Sequence, residues 1–269
     1  MNAPSRIITL TTDFGTSDAY VGIMKGVILG INPGVQVVDL THAIPPQDIH
    51  EAAFTIYSAY RYFPKNAIHT IVVDPGVGTH RQAIVCEIED TFFVCPDNGV
   101  LSYVLQDIGN NTAFPMNAVA IQNASYFLPE ISDTFHGRDI FAPVAAHLSL
   151  GVPLTNIGPS VQDLVEFPIL TPQVSKNRII GQIIKLDRFG NAITNISERT
   201  LTEAASAYDI RVADTRLTRL NRAYAESTVG EPLAIIGSLG VLEIAINGGS
   251  AEVGLGLKWG DVVEIQWSD

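Results

Sequence analysis

Positive charge is what this chain has least of. Sixteen Lys+Arg stand against 28 Asp+Glu, a net charge of -12 over 269 residues, and such a surface repels phosphate backbones and anionic lipid headgroups. Nucleic acid and membranes are excluded as partners, and a cationic small molecule is favoured. Cysteine is scarce too, with Cys86 in "AIVCEI" and Cys95 in "TFFVCPDNG"; one pair makes neither a disulfide framework nor a metal-site spacing. The "EIEDT" turn between them suits a hairpin that can bring the sulfurs close, and without an export signal both read as reduced core thiols. Long apolar runs are missing. Nothing approaches the ~18 residues that span a bilayer, and "MNAPSRIITLTTDFG" lacks a secretory h-region, so the expected location is the cytoplasm. With 46% apolar and only 16% charged residues, disorder is excluded as well.

What is present is an alternation. "RIITLTTD", "VQVVDLTH" and "AIHTIVVD" read as strands. Between them, "DAYVGIMKGVILGINPG" carries Tyr20, Ile23, Met24, Val27, Ile28 and Ile31 at helical spacing, and "PQDIHEAAFTIYSAYRYFP" carries Ile49, Ala52, Ala53, Ile56, Ala59 and Tyr60. This predicts an α/β domain over residues 1–160 with a mostly parallel central sheet. Prolines 153, 159, 168 and 172 mark an aperiodic stretch, of which 161–177 is read as linker. The short β-rich runs of 178–269 predict a smaller antiparallel barrel.

In a parallel sheet, ligands gather beyond the carboxyl ends of the strands. Those ends are "TTDFGTSD", "DLTHAIPPQD" and "VDPGVGTHR", so three acidic turns are expected to converge. The third places Asp74, His80 and Arg81 in one short loop, where an ordinary connection uses Gly, Asn or Ser. Asp18 is accounted for as the N-cap of the first helix. Asp13 is not, and a carboxylate at a strand end suits a ribose diol, while "GTSDAYVG" is no phosphate fingerprint. His136, in "SDTFHGRDIFAPVAAHL", is followed by Gly137, whose lack of a side chain lets a ligand approach the backbone. The remaining histidines are read as structural. Asp13, Asp74, His80, His136 and Asp139 also form the donor set of an alternative metal-dependent hydrolase, though no H-E-x-x-H or tight pair supports it.

Five segments in order, "TTDFGTSDAYVGIMKG", "VDPGVGTHR", "TFHGRDIFAPVAAHL", "LDRFGNAITNI" and "GSLGVLEIAINGGSA", resemble the S-adenosylmethionine hydroxide adenosyltransferase family, relatives of fluorinating and chlorinating enzymes. The resemblance implies an N-terminal α/β domain joined to a C-terminal β-barrel, and a homotrimer with its sites at subunit interfaces. It implies hydrolysis of S-adenosyl-L-methionine to adenosine and methionine, with no cofactor and no metal. The catalytic trio falls on Asp74, Arg81 and His136. Asp13 falls at the ribose, Asp18 and Asp187 near the methionine ammonium, and Ser238 near its carboxylate. Phe189 and Tyr224 fall around the adenine, with Asn191 and the backbone near Asn247 at its polar edge; barrel core is the other account of the two aromatic residues. Halogenating relatives carry Tyr where Asp74 stands, because an acid repels halide, so hydrolysis is expected over halogenation. A non-catalytic S-adenosylmethionine or adenosine sensor is the third alternative, needing Asp13 and the aromatics without Arg81.

Overall fold

The computed structural model describes residues 7–109, 116–202 and 209–267. The chain forms two compact units, Met1–Pro168 and Ile169–Asp269.

In the first unit the strands are β1 (Ile7–Thr12), β2 (Gln36–Thr41), β3 (Ile68–Val72), β4 (Ala83–Ile88), β5 (Thr91–Pro96), β6 (Met116–Ala120) and β7 (Ser160–Val161). They pair in the order β2-β1-β3-β5-β4-β6-β7. Among the described residues only the pairs among β2, β1, β3 and β5 are parallel; β4, β6 and β7 add antiparallel ladders. The sheet is therefore mixed, not mostly parallel. Helices α1 (Tyr20–Ile31) and α4 (Ala142–Ser149) cover one face and α2 (Ile49–Ala59) and α3 (Ser102–Gly109) the other. Ile8, Leu10, Met24, Ile28, Phe141 and Leu148 share one core; Ile56, Ile71, Val73, Ile84 and Val104 share the second.

Helix α1 presents Val21, Met24 and Ile28 inward and leaves Tyr20 and Ile23 exposed, a narrower apolar face than its spacing predicts. Its N-cap is Ala19 without a side-chain bond, so Asp18 does not cap it. In α2 the capping is regular, Asp48 accepting the Glu51 N–H at 2.9 Å. The β4–β5 hairpin turns through Glu89 and Asp90, both at positive φ (49° and 65°), the twist a two-residue connection needs. Within it Cys86 lies opposite Phe93 and Cys95 opposite Ile84. Both thiols are free and buried, and burial pushes Cys86 up to about 12 and Cys95 upward as well, which suits inert core residues.

The second unit contains β8 (Gln173–Ser175), β9 (Arg178–Leu186), β10 (Ala192–Ser197), β11 (Asp209–Val212), β12 (Thr215–Leu217), β13 (Leu220–Asn221), β14 (Pro232–Ile236), β15 (Val241–Ile246) and β16 (Val262–Gln266). The order is β12-β11-β16-β9-β10-β15-β14-β13, with β8 beside β9. Among the described residues β12 and β13 are free ends, so the ladder is not closed. It curls nonetheless, because Leu217 from one end, Leu220 from the other and Ile179, Ile196 and Ile244 between them meet in one core. The result is a half-barrel.

Candidate active site

A cavity of about 370 Å³ opens at the carboxyl ends of β1, β2 and β3, lined among others by Asp13, Gln47, Asp74, Phe135, His136 and Gly137. The three turns named from the sequence do converge there. Each parallel strand ends in the same direction, so their following loops have to share one edge.

Asp74, which lines the cavity, forms a forked ion pair with Arg81. Arg81 Nε donates to both Asp74 oxygens at 2.9 Å, and Nη2 donates to Oδ2. Their side chains are only 5% and 11% exposed, so water screens the pair weakly. Nη2 also donates to His136 Nδ1 at 2.8 Å. A guanidinium has no acceptor; Nδ1 is therefore the unprotonated nitrogen, and the neutral ring carries its proton on Nε2. Burial first, and the Arg81 charge second, hold the His136 imidazole below its ordinary range. Phe141 lies under the guanidinium, 5.3 Å from its centre to the ring centroid.

The segments carrying these groups touch. Gly78, at φ +75°, approaches the Asp133 carbonyl so closely that a Cβ would stand 2.4 Å from its oxygen. Asp139, wholly buried, accepts Ser132 N–H and Ser132 O–H at 2.8 Å each and Arg138 Nε at 2.5 Å, fixing the loop ahead of a π-helical turn, Gly137–Phe141. Such turns reposition side chains at functional sites. Gly137 is packed as well as open to the cavity: a Cβ would meet Met24, Phe135 and Val72 at 3.3 Å each. Asp13 Oδ2 accepts the Gln47 N–H at 2.8 Å, holding a non-glycine residue at φ 66°. Phe14, Tyr20 and Phe135 form a mutual cluster with centroids 5.1 to 5.8 Å apart.

Asp18, His80 and Arg81 are not among the residues lining this cavity; Arg81 reaches it through its bonds to Asp74 and His136, which are. Among the described residues no three of His, Cys, Asp and Glu converge as a metal-holding group.

The second unit has its own cavity, about 810 Å³, lined by Asp187, Phe189, Asn191, Tyr224, Ser238 and Glu243 among others. Asp187 Oδ1 accepts the Phe189 and Asn191 N–H groups at 2.8 Å each, and Oδ2 accepts Asn191 Nδ2 at 3.0 Å. The carboxylate thus shapes its own loop. Phe189 is 77% exposed, so barrel core does not account for it. Asn247 is not a lining residue; its side chain donates to Ser227 O, and its own N–H and C=O pair with Glu231 and Gly230. Its neighbours Ile246, Gly248 and Gly249 line the cavity instead. Phe14, Tyr20, Gln47, Phe135 and Glu243 are cavity residues that the sequence reading passes over. Glu243 alone carried a signal, a charge inside the apolar run "VLEIAI".

Residues 8–158 match the profile of the SAM hydroxide adenosyltransferase N-terminal domain and residues 181–264 that of its C-terminal domain. An (R)-S-adenosyl-L-methionine hydrolase of Thermus thermophilus is 39% identical over 97% of this chain and 99% of its own. A fluorinase of an Actinoplanes species is 29% identical over 96% of this chain and 97% of its own. The crystal structure of an uncharacterized conserved protein from Thermotoga maritima superimposes with a TM-score of 0.89 at 37% identity, covering 97% of this chain and all of that one (100%).

Proposed function

The chain belongs to the SAM hydroxide adenosyltransferase family, and on that premise we propose that it is an enzyme hydrolysing S-adenosyl-L-methionine to adenosine and L-methionine. The observation that carries this reading is the single Arg81 guanidinium bridging the Asp74 carboxylate and the His136 ring at a cavity that also holds Asp13.

In the proposed reaction a water sits against Asp74 and His136. Its oxygen bonds to the ribose C5′ as the C5′–S bond breaks, and that electron pair passes to sulfur, turning the sulfonium into the neutral thioether of methionine. The water's proton leaves through Asp74 to solvent. Arg81 fixes the carboxylate in a charge-assisted fork, and Asp13 holds the ribose hydroxyls so that oxygen, carbon and sulfur lie in line. The aromatic cluster keeps bulk water away from a displacement in which the sulfonium's charge is lost. No metal enters the scheme. A halide would meet the Asp74 carboxylate in the same place and be repelled, which favours hydrolysis over halogenation.

The catalytic groups thus belong to an N-terminal domain, 1–160, and the adenine and methionine contacts to a C-terminal one, 178–269. Asp187 and Ser238 take the methionine end, with Asp18 beside the ammonium, and Phe189, Asn191, Tyr224 and the backbone near Asn247 take the adenine. In a cytoplasmic homotrimer each site would draw its two halves from neighbouring subunits. Light scattering tests the assembly, three chains of 29.0 kDa being expected.

The chemistry is tested by incubating the protein with S-adenosyl-L-methionine in water enriched in heavy oxygen. Methionine together with adenosine labelled at its 5′ hydroxyl is the expected result. Unlabelled adenosine, or release of adenine, overturns the mechanism.

A further inference from the structure

Glu243 is the least expected residue of the second cavity. It lies mid-strand in β15, 6% exposed, and the only hydrogen bond to its carboxylate among the described residues comes from Tyr224 Oη to Oε2 at 3.2 Å. Among the described residues no lysine, arginine or histidine lines the cavity with it, and the other acid there is Asp187. A carboxylate taken out of water usually requires a cation or several donors to offset its lost hydration. Burial and the Asp187 charge accordingly raise the Glu243 carboxyl above its ordinary range, against the Tyr224 bond, which lowers it.

The backbone is nevertheless arranged to keep it there. Gly237, a neighbour along the same cavity wall, has no room for any side chain, since a Cβ would fall 1.7 Å from Glu243 Oε1. Tyr224, by contrast, is 41% exposed on a single 3-10 turn, Tyr224–Glu226. Its hydroxyl bond to Glu243 is the one hydrogen bond its side chain makes among the described residues.

We infer that Glu243 is a specificity-determining residue of this cavity, holding the Tyr224 ring as a wall for a planar base and, together with Asp187, supplying the negative charge that selects a cationic ligand over its neutral counterpart. The inference rests on the hydrolase reading for the identity of that ligand. It explains a buried acid without a cation as one whose counter-charge arrives with the ligand, and it gives the acidic, cation-free wall a purpose beyond Asp187, which its own loop already engages three times.

The test is calorimetric titration of the full-length protein with S-adenosyl-L-methionine and with S-adenosylhomocysteine, which lacks only the sulfonium methyl and its charge. Wild-type protein is expected to prefer the sulfonium. Glu243→Gln keeps an acceptor for Tyr224 and removes the charge, so the preference is expected to shrink about tenfold, the low end for a charge-assisted contact, with little change for the thioether. Tyr224→Phe is expected to weaken both ligands by the same factor and leave the preference intact. An unaltered preference in Glu243→Gln, or an equal loss for both ligands, overturns the charge role. If that variant does not fold, Tyr224→Phe decides alone, and unchanged affinities overturn the proposal. Failure of the wild-type protein to bind S-adenosyl-L-methionine at all is a different result, striking the proposed function itself.

Discussion

Arg81 reaches His136 with the same nitrogen that holds Asp74, Nη2, at 2.8 Å from Nδ1. One cation therefore fixes both the position of the carboxylate and the tautomer of the imidazole. Replacing it by alanine strands a buried carboxylate and frees the ring at once. Turnover is expected to fall by about 10² to 10³, the range for removing one preorganised donor, and stability by about 3 kcal/mol, the lower figure for breaking a buried pair. Steady-state kinetics alongside chemical denaturation separates the two losses; wild-type turnover in Arg81→Ala would remove the bridge from the mechanism.

The pH profile should report His136. Its folded-state pKa is lowered, by burial first and Arg81 second, so the neutral ring persists as pH drops past the ordinary imidazole value of about 6.5. The acid limb of kcat/KM that belongs to His136 is expected below that value. Its contribution to folding has the same sign: the unfolded chain binds the proton first, so stability is lost as pH falls below the unfolded pKa. Arg81→Met, which removes the nearby charge, should move the limb upward; a limb that stays in place assigns it to another group.

Asp187→Asn should raise KM more than it lowers kcat, because the proposed contact to the methionine ammonium would be made both before and during the chemical step. The carboxylate's three bonds to Phe189 and Asn191 add a second expectation: Asp187→Ala should perturb the loop and raise KM further. Initial-rate kinetics on both variants decides, and a collapsed kcat at constant KM would contradict the assignment.

Gly78→Ala should be harmful out of proportion to its single methyl. A positive φ of 75° and a carbonyl 2.4 Å from the new Cβ together are expected to destabilise by about 1–3 kcal/mol. Thermal melts measure this, and kcat should drop with it because Asp74, Arg81 and His136 are displaced relative to one another. An alanine variant with unchanged melting and rate would mean that the loop relaxes freely.

The sequence made Asp74, His80 and Arg81 stand out as an ionisable cluster in one turn and His136 as a histidine ahead of Gly137, Arg138 and Asp139; the family resemblance, not the spacing, singled out Asp74, Arg81 and His136 over His80, and the structure brings those three into hydrogen-bond contact. Direction of strands was legible only in part. The "EIEDT" turn suits the antiparallel hairpin that β4 and β5 form, but periodicity reports which faces are buried and says nothing about parallel or antiparallel pairing, so the antiparallel ladders of β6 with β4 and β7 went unread. Glu243 escaped because alternation in "VLEIAI" assigns it to the outer face of a strand, which by default meets solvent. Asp18 looked like a cap because its residue type fits one, and the cap position moved one residue along to Ala19.

The close approach of Gly78 to Asp133 has a mechanical consequence. Residues 74–81 and 132–137 are far apart in the chain, yet a shift of either segment toward the other is blocked by hard-sphere contact, and a shift away is resisted by the Arg81–His136 bond. The pair is latched in both directions. Thermal excursions of one loop are then expected to carry the other, keeping the distances among Asp74, Arg81 and His136 tighter than the position of either loop against the sheet.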